Sequence, residues 1–314
     1  MMIQKIKLLL TELQQLLVSS SRQELSLGDQ KEYSPIRFVR IASGVGQTLV
    51  NGYMEHLAGD RKNEEIGWLL LGFREKDKAI ILAAIPSGES RDASSVHVKF
   101  NSQAQAIAGR ILKKREKKLE VLGLFHTHPG KMRRPSSGDF RGDIEWVKSI
   151  SGRQGIFGIG TVENATESYE KSHVANFVSF NTFDWNNLRF SWYSLLQGDT
   201  DYKNVKIRWT LGPDLADFLS GHWSILEKNA EAIERILSQQ NGSTCDVISY
   251  QGEKAFCLLV PTTYPKGVIR AFILGENVKY FFENSEQQFA IDVEENNVDR
   301  GIYLVLAELG KNNL

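Results

Sequence analysis

A chain of 314 residues, 41% hydrophobic and 24% charged, is long enough for two domains and has the make-up of a folded globular protein. Its 38 basic residues balance 38 acidic ones, so the charge recommends neither nucleic acid nor an anionic membrane as a partner. No stretch approaches the roughly 20 apolar residues of a membrane span. Cys245 and Cys257 lack CxxC spacing, so small buried side chains in a reducing cytoplasm are expected rather than a disulfide framework.

In chain order, Ile3, Ile6, Leu10, Leu13 and Leu17 recur at helical spacing and predict an N-terminal amphipathic helix. It would dock on its own protein or pair with a second copy, and a polar linker follows to residue 32. IRFVRIA predicts a strand, and Val45, Leu49, Tyr53 and Leu57 one face of a helix. WLLLGF and AIILAAIP form a hairpin around REKDK, followed by a surface loop over Ser87–His97 and a helix over Gln103–Lys118. VLGLF reads as a buried strand, DFRGDIEWVKSI as a helix, and Ile156–Val162, Val174–Phe180 and LRFSWYSL as further strands. The mixed order predicts α/β layers around one sheet, placed here at residues 33–200.

A second domain is expected at residues 201–314. Leu215, Phe218, Leu219, Ile225, Leu226, Ile233 and Leu237 continue one helical period to the stop at Asn241-Gly242. Five short strands, DVISY, AFCLLVP, VIRAFILG, VKYFFEN and FAIDV, then follow as an antiparallel meander packed on that helix. This α+β unit carries no chemical motif, and partner or substrate recognition is its natural role.

The chemistry concentrates in LGLFHTHPGKMRRPSSGDF (Leu122–Phe140). Residues i and i+2 of a strand share a side, so His126 and His128 can face one point. Zinc accepts imidazole nitrogen and carboxylate oxygen, and a catalytic zinc keeps three protein ligands and one open position. Two histidines therefore need one more ligand, and Asp139 is the candidate. Ser136-x-x-Asp139 also fits a capping box that opens the next helix. The two readings are compatible.

The array His126-x-His128-Pro129, six residues, then Ser136-x-x-Asp139 resembles the JAMM (MPN+) metalloproteases, whose signature is HxHPx6SxxD with a glutamate far upstream. Glu65-Ile66-Gly67-Trp68-Leu69-Leu70-Leu71-Gly72 is similar to that family's ExxGxLxG element. The resemblance covers about Phe38–Phe180 and implies a cytidine-deaminase-like mixed sheet flanked by helices. It further implies that His126, His128 and Asp139 hold Zn2+, that Glu65 shuttles the proton of the attacking water, and that Ser136 steadies the oxyanion. The glycine expected three places after the glutamate is Trp68 when counted from Glu65. Glu64 restores it at Gly67 but puts Gly72 one place late, so Glu64 stays in reserve.

What the resemblance implies is a zinc-dependent isopeptidase or processing peptidase. It would act on a ubiquitin-like protein or its conjugates, alongside conjugation-pathway enzymes. The competing expectations are a metal-free scaffold and a zinc peptidase for small peptides. The Ser87–His97 loop is a candidate clamp for an extended tail, and His97 within it is expected to be solvated or core. GIFGIG (Gly155–Gly160) lacks the strand-to-helix setting of a nucleotide loop and is expected to be closely packed strand glycines.

Overall fold

Strand alternation and one run of small residues shape the first unit. The computed structural model describes residues 33–311 except 89–92, 95–96, 99–101, 131, 164–174 and 264. The expected N-terminal helix and much of the Ser87–His97 loop lie outside the described residues. The chain divides into one unit that ends at Asp217 and another made of Ala106–Ile111 and Phe218–Leu314.

The chain runs β1 (Phe38–Ala42), α1 (Ser43–Ala58), β2 (Gly67–Arg74), β3 (Lys78–Pro86), the short pair β4 (Ala93–Ser94) and β5 (His97–Val98), and α2 (Ser102–Arg115). It continues with β6 (Glu120–Thr127), α3 (Ser137–Trp146), β7 (Gln154–Val162), β8 (Asn176–Ser179), β9 (Thr182–Trp185), β10 (Leu188–Leu196), β11 (Lys203–Asn204) and β12 (Lys206–Thr210). Ten strands form one mixed sheet in the order β12-β1-β3-β2-β6-β7-β10-β9-β8, with β11 on β10. The pairs β1–β3, β1–β12 and β6–β7 are parallel and the others antiparallel. Strand β12 lies past the boundary expected at residue 201 and pairs with β1, the first strand of the unit.

Strands β6 and β7 occupy the middle of this sheet, and their sequences explain how closely they meet. A Cβ at Gly123 would stand 1.6 Å from the Ile156 carbonyl oxygen, so only glycine permits the pairing there. Phe125 is fully buried, with ring centres 5.6 Å from Trp68, 5.3 Å from Phe190 and 5.5 Å from Trp192. A Cβ at Gly158 would stand 2.4 Å from the Phe125 ring. GIFGIG is thus a central strand whose glycines make room for aromatic rings, as its composition suggests. Val45, Leu49 and Tyr53 of α1 are buried on one helix face.

In the second unit the helical period after Gly212-Pro213 is broken. A short helix α4 (Asp217–Ser220) and α5 (Trp223–Gln239) are separated at Gly221-His222, where glycine costs helix stability. Five antiparallel strands then follow in sequence order: β13 (Thr244–Tyr250), β14 (Glu253–Thr263), β15 (Lys266–Leu274), β16 (Asn277–Glu283) and β17 (Gln288–Ile291). Gln251 and Gly252 both take positive φ, 52° and 88°, the backbone of a tight hairpin turn. A further helix, α6 (Val298–Lys311), packs with α5 and against β15 and β16. Cys245 and Cys257 are both buried. No helix among the described residues is long and apolar enough to cross a membrane.

Candidate metal centre

Alternation along β6 sends Phe125 and Thr127 to one side and His126 to the other, with His128 following one residue past the strand end. The His128 N–H still donates to the Gly160 carbonyl at 2.9 Å, so the parallel ladder with β7 holds both histidines in extended backbone. Thr127 ties this strand end to the start of β2: its N–H donates to the Ile66 carbonyl at 2.9 Å, and its hydroxyl oxygen accepts from Ile66 N at 3.1 Å. That pairing sets Glu65 beside the histidines.

Pro129 ends the strand, and the loop beyond it is anchored at three points. The Met132 carbonyl lies 2.8 Å from His128 Nδ1. The Tyr193 hydroxyl donates to the Arg133 carbonyl at 2.8 Å, and the Arg133 guanidinium grips Glu163 with Nε 2.9 Å from Oε1. So held, the loop delivers Ser136 as the N-cap of α3. Its Oγ accepts from Gly138 N at 3.2 Å and Asp139 N at 3.1 Å, while Asp139 Oδ2 accepts from Ser136 N at 2.5 Å. The capping box is complete, and it aims the Asp139 carboxylate back at β6.

Three ligand atoms then converge. His126 Nε2 lies 3.0 Å from His128 Nε2 and 3.5 Å from Asp139 Oδ1, and His128 Nε2 lies 3.4 Å from Asp139 Oδ2. A carbonyl can only accept, so His128 Nδ1 carries its proton toward Met132 and Nε2 presents a lone pair. Ligands about 2.0–2.1 Å from a common tetrahedral centre stand ~3.3 Å apart, so the triangle has the size of a zinc site. Among the described residues these are the only three His, Cys, Asp or Glu side chains that converge in this way.

The two adjacent glutamates part company. Glu65 is buried, 3% exposed, with Oε1 4.0 Å from His128 Nε2. Glu64 turns outward, where its Oε2 accepts from Arg61 Nε at 2.6 Å.

Charge is concentrated and mutually compensated. Burial alone would lower the His126 pKa, but the Asp139 hydrogen bond and charge, with Glu65 and Asp143, raise it on balance. Burial would raise Asp139, yet its side-chain contacts with His126 and His128, the His126 charge and the Ser136 N–H hold it far below the ordinary carboxylate range. Sequence reasoning missed a second carboxyl, Asp143, one helical turn after Asp139 and on the same face of α3. Asp143 is buried and accepts from the Tyr202 hydroxyl at 2.7 Å. Burial pushes it up to about 7 against the downward pull of Tyr202 and His126, and burial together with Asp143 drives the Tyr202 phenol well above its usual range. The i, i+4 spacing from Asp139 is the one signal that could have found Asp143. His97 pairs in β5 through its backbone, and its side chain lies outside the described residues.

Residues 47–173, which span all five candidate residues, match the family model of the prokaryotic homologs of the JAB domain. This stretch is similar to a JAB domain. The family includes metalloproteases. Among solved structures, the solution structure of protein DSY2949 from Desulfitobacterium hafniense resembles the chain with a TM-score of 0.36 and 16% identity, over 56% of this chain and 94% of that one. No curated protein matches the sequence.

Proposed function

We propose that the JAB-like stretch is a zinc peptidase that cleaves the bond following the C-terminus of a ubiquitin-like protein. Its substrates would be a precursor or a conjugate, and its companions the enzymes of a conjugation pathway. The observation that carries the reading is the convergence of His126, His128 and Asp139 at 3.0–3.5 Å with the buried Glu65 alongside. His126, His128 and Asp139 would hold the metal. Zinc bound there would polarise the scissile carbonyl and lower the pKa of a water to about 7.

The remaining work falls to the chain. Glu65, shielded from bulk water and set against His128, accepts the proton of the attacking water and returns it to the leaving nitrogen. The water oxygen joins the carbonyl carbon, the C–N bond breaks, and a carboxylate and an amine leave. The Ser136 oxygen already accepts two backbone N–H groups, so its own O–H is left to donate to the oxyanion. The His128 Nδ1 bond to Met132 and the capping box fix the donors before substrate arrives, which is where such sites gain most.

Metal content and cleavage test the reading together. Purified protein should bind one zinc, lose it on His126→Ala or Asp139→Ala, and cleave a ubiquitin-like fusion at its C-terminal glycines only when loaded. Protein that takes up no zinc, or that cleaves equally well after both substitutions, refutes it.

A further inference from the structure

The strand that carries the histidines has a second side. Thr127, between them, turns away from the metal-ligating atoms and lines a cleft of about 200 Å3. Pro129 and Gly130, directly after His128, form one wall. Tyr53 and Leu57 of α1 and Val162 of β7 supply apolar surface, and the turn Lys62–Glu64 closes another side before running straight into Glu65. The cleft therefore abuts both arms of the candidate centre, and nothing in the proposed chemistry uses it.

Proton delivery says which half of a substrate it serves. Glu65 hands a proton to the leaving nitrogen, so that nitrogen lies next to Glu65, and the acyl chain departs in the opposite sense. Residues 62–64, before Glu65, line the cleft. Gly67, after it, faces the other flank, where its carbonyl accepts from Ser87 N at 2.7 Å and its N–H donates to Ser87 Oγ at 3.2 Å. The cleft sits on the leaving side.

Its lining selects a chemistry. Tyr53 is buried, Leu57 and Val162 are half-buried, and Lys62 and Asn63 are exposed at the mouth. The one lining carboxylate, Glu64, is engaged by Arg61, so a cationic guest meets Lys62 and no free anion. Building on the peptidase reading, the geometry points to a pocket for the side chain of the residue that supplies the leaving amine, an aliphatic or aromatic residue joined through its α-amine. An isopeptide-linked lysine carries no branch on the carbon next to the cleaved nitrogen and leaves the pocket empty. The reaction favoured is main-chain cleavage between a ubiquitin-like C-terminus and an apolar residue.

The full-length protein with 13C-labelled leucine and valine methyls can be titrated with Leu-Gly, Phe-Gly, Gly-Gly and Lys-Gly amides. Leu-Gly and Phe-Gly should shift the Leu57 and Val162 methyls saturably and bind at least about tenfold tighter than the other two. Leu57→Trp and Val162→Trp, at unchanged melting temperature, should each weaken that binding about tenfold, and the wild-type series stands even if a variant misfolds. Equal binding of all four probes, or no shift at these methyls, overturns the inference. In parallel, zinc-loaded protein meets peptides randomised after Gly-Gly and a Gly-Gly isopeptide on lysine. Cleavage favouring Leu, Ile or Phe by about 10–100-fold supports the pocket. Unselective cleavage, or an equally fast isopeptide, overturns it while sparing the peptidase. Selective binding without any cleavage instead overturns the peptidase reading, and the leaving-group role falls with it.

Discussion

Replacing Asp143 by asparagine keeps the size of the side chain and an oxygen for the Tyr202 hydroxyl, now 2.7 Å away, but removes the titration. Burial holds this carboxyl near 7 in the folded chain, whereas an unfolded aspartate titrates near ~3.9. The folded state thus binds the proton more tightly. The stability this contributes is complete below about pH 3.9 and is lost as the pH rises through about 7. Three units at about 1.36 kcal/mol each put the loss at ~4 kcal/mol, an upper figure because the neighbouring His126 and Asp139 share the charge. Asparagine suffers no such loss. Urea unfolding of the metal-free protein should therefore show the variant gaining on wild type by a few kcal/mol between about pH 4 and pH 8, most steeply around pH 5–7. His126 and Asp139 titrate in both proteins and largely cancel in the difference. A difference that stays flat across that range, or grows toward acid, would refute the placement of Asp143 as a buried, proton-holding carboxyl.

Glu65→Gln should keep its zinc and lose ~10²–10⁴-fold in cleavage rate, whereas Glu64→Gln, which disturbs only a part-exposed pair with Arg61, should stay within about twofold; rate and metal content measured together separate the two. Ser136→Ala removes the oxygen that accepts two N–H groups at the start of α3 and should cost ~0.5–2 kcal/mol in denaturant unfolding, with slower turnover besides. Phe125→Ala empties the space among Trp68, Phe190 and Trp192 and should cost ~3–5 kcal/mol by the same measurement.

How much of this is legible beforehand depends on the range of the interaction. The helix face Val45–Leu49–Tyr53, the alternation at His126 and His128 and the SxxD cap are local patterns of one element each, and local patterns survive in sequence. The glutamate can be narrowed only to two neighbours, because the fold separates them: Thr127 ties Ile66 to the strand end and turns Glu65 inward, while Arg61 draws Glu64 out. The Asp143–Tyr202 pair spans 59 residues and has no local signature beyond the helical spacing from Asp139. Strand β12 is equally hidden, for its partner β1 lies far upstream and a parallel pair leaves no hairpin signal. The break at Gly221-His222 falls inside an unbroken apolar period, where periodicity outvotes a single glycine. Helix α6 has buried Ile302, Val305 and Leu309 on one face, a period passed over beside the strand-rich meander.

The capping reading and the ligand reading of Ser136-x-x-Asp139 describe one device. An ionised carboxylate offers about four lone-pair sites, and Asp139 divides them. Oδ2 takes the Ser136 N–H and still lies 3.4 Å from His128 Nε2, while Oδ1 faces His126 at 3.5 Å. The positive end of the α3 dipole favours the anion at this position, so the bond that starts the helix also keeps the carboxylate charged and aimed. One turn further along α3, Asp143 lies past the free N–H groups of the first turn, and burial tips it toward the neutral form. Two aspartates on one helix face thus diverge in charge because the first faces both histidines and also accepts the Ser136 N–H. Under the proposed zinc reading, a substitution that spares the Asp139 carboxylate but unwinds the first turn of α3 should therefore weaken zinc binding, which a zinc titration beside Asp139→Ala checks.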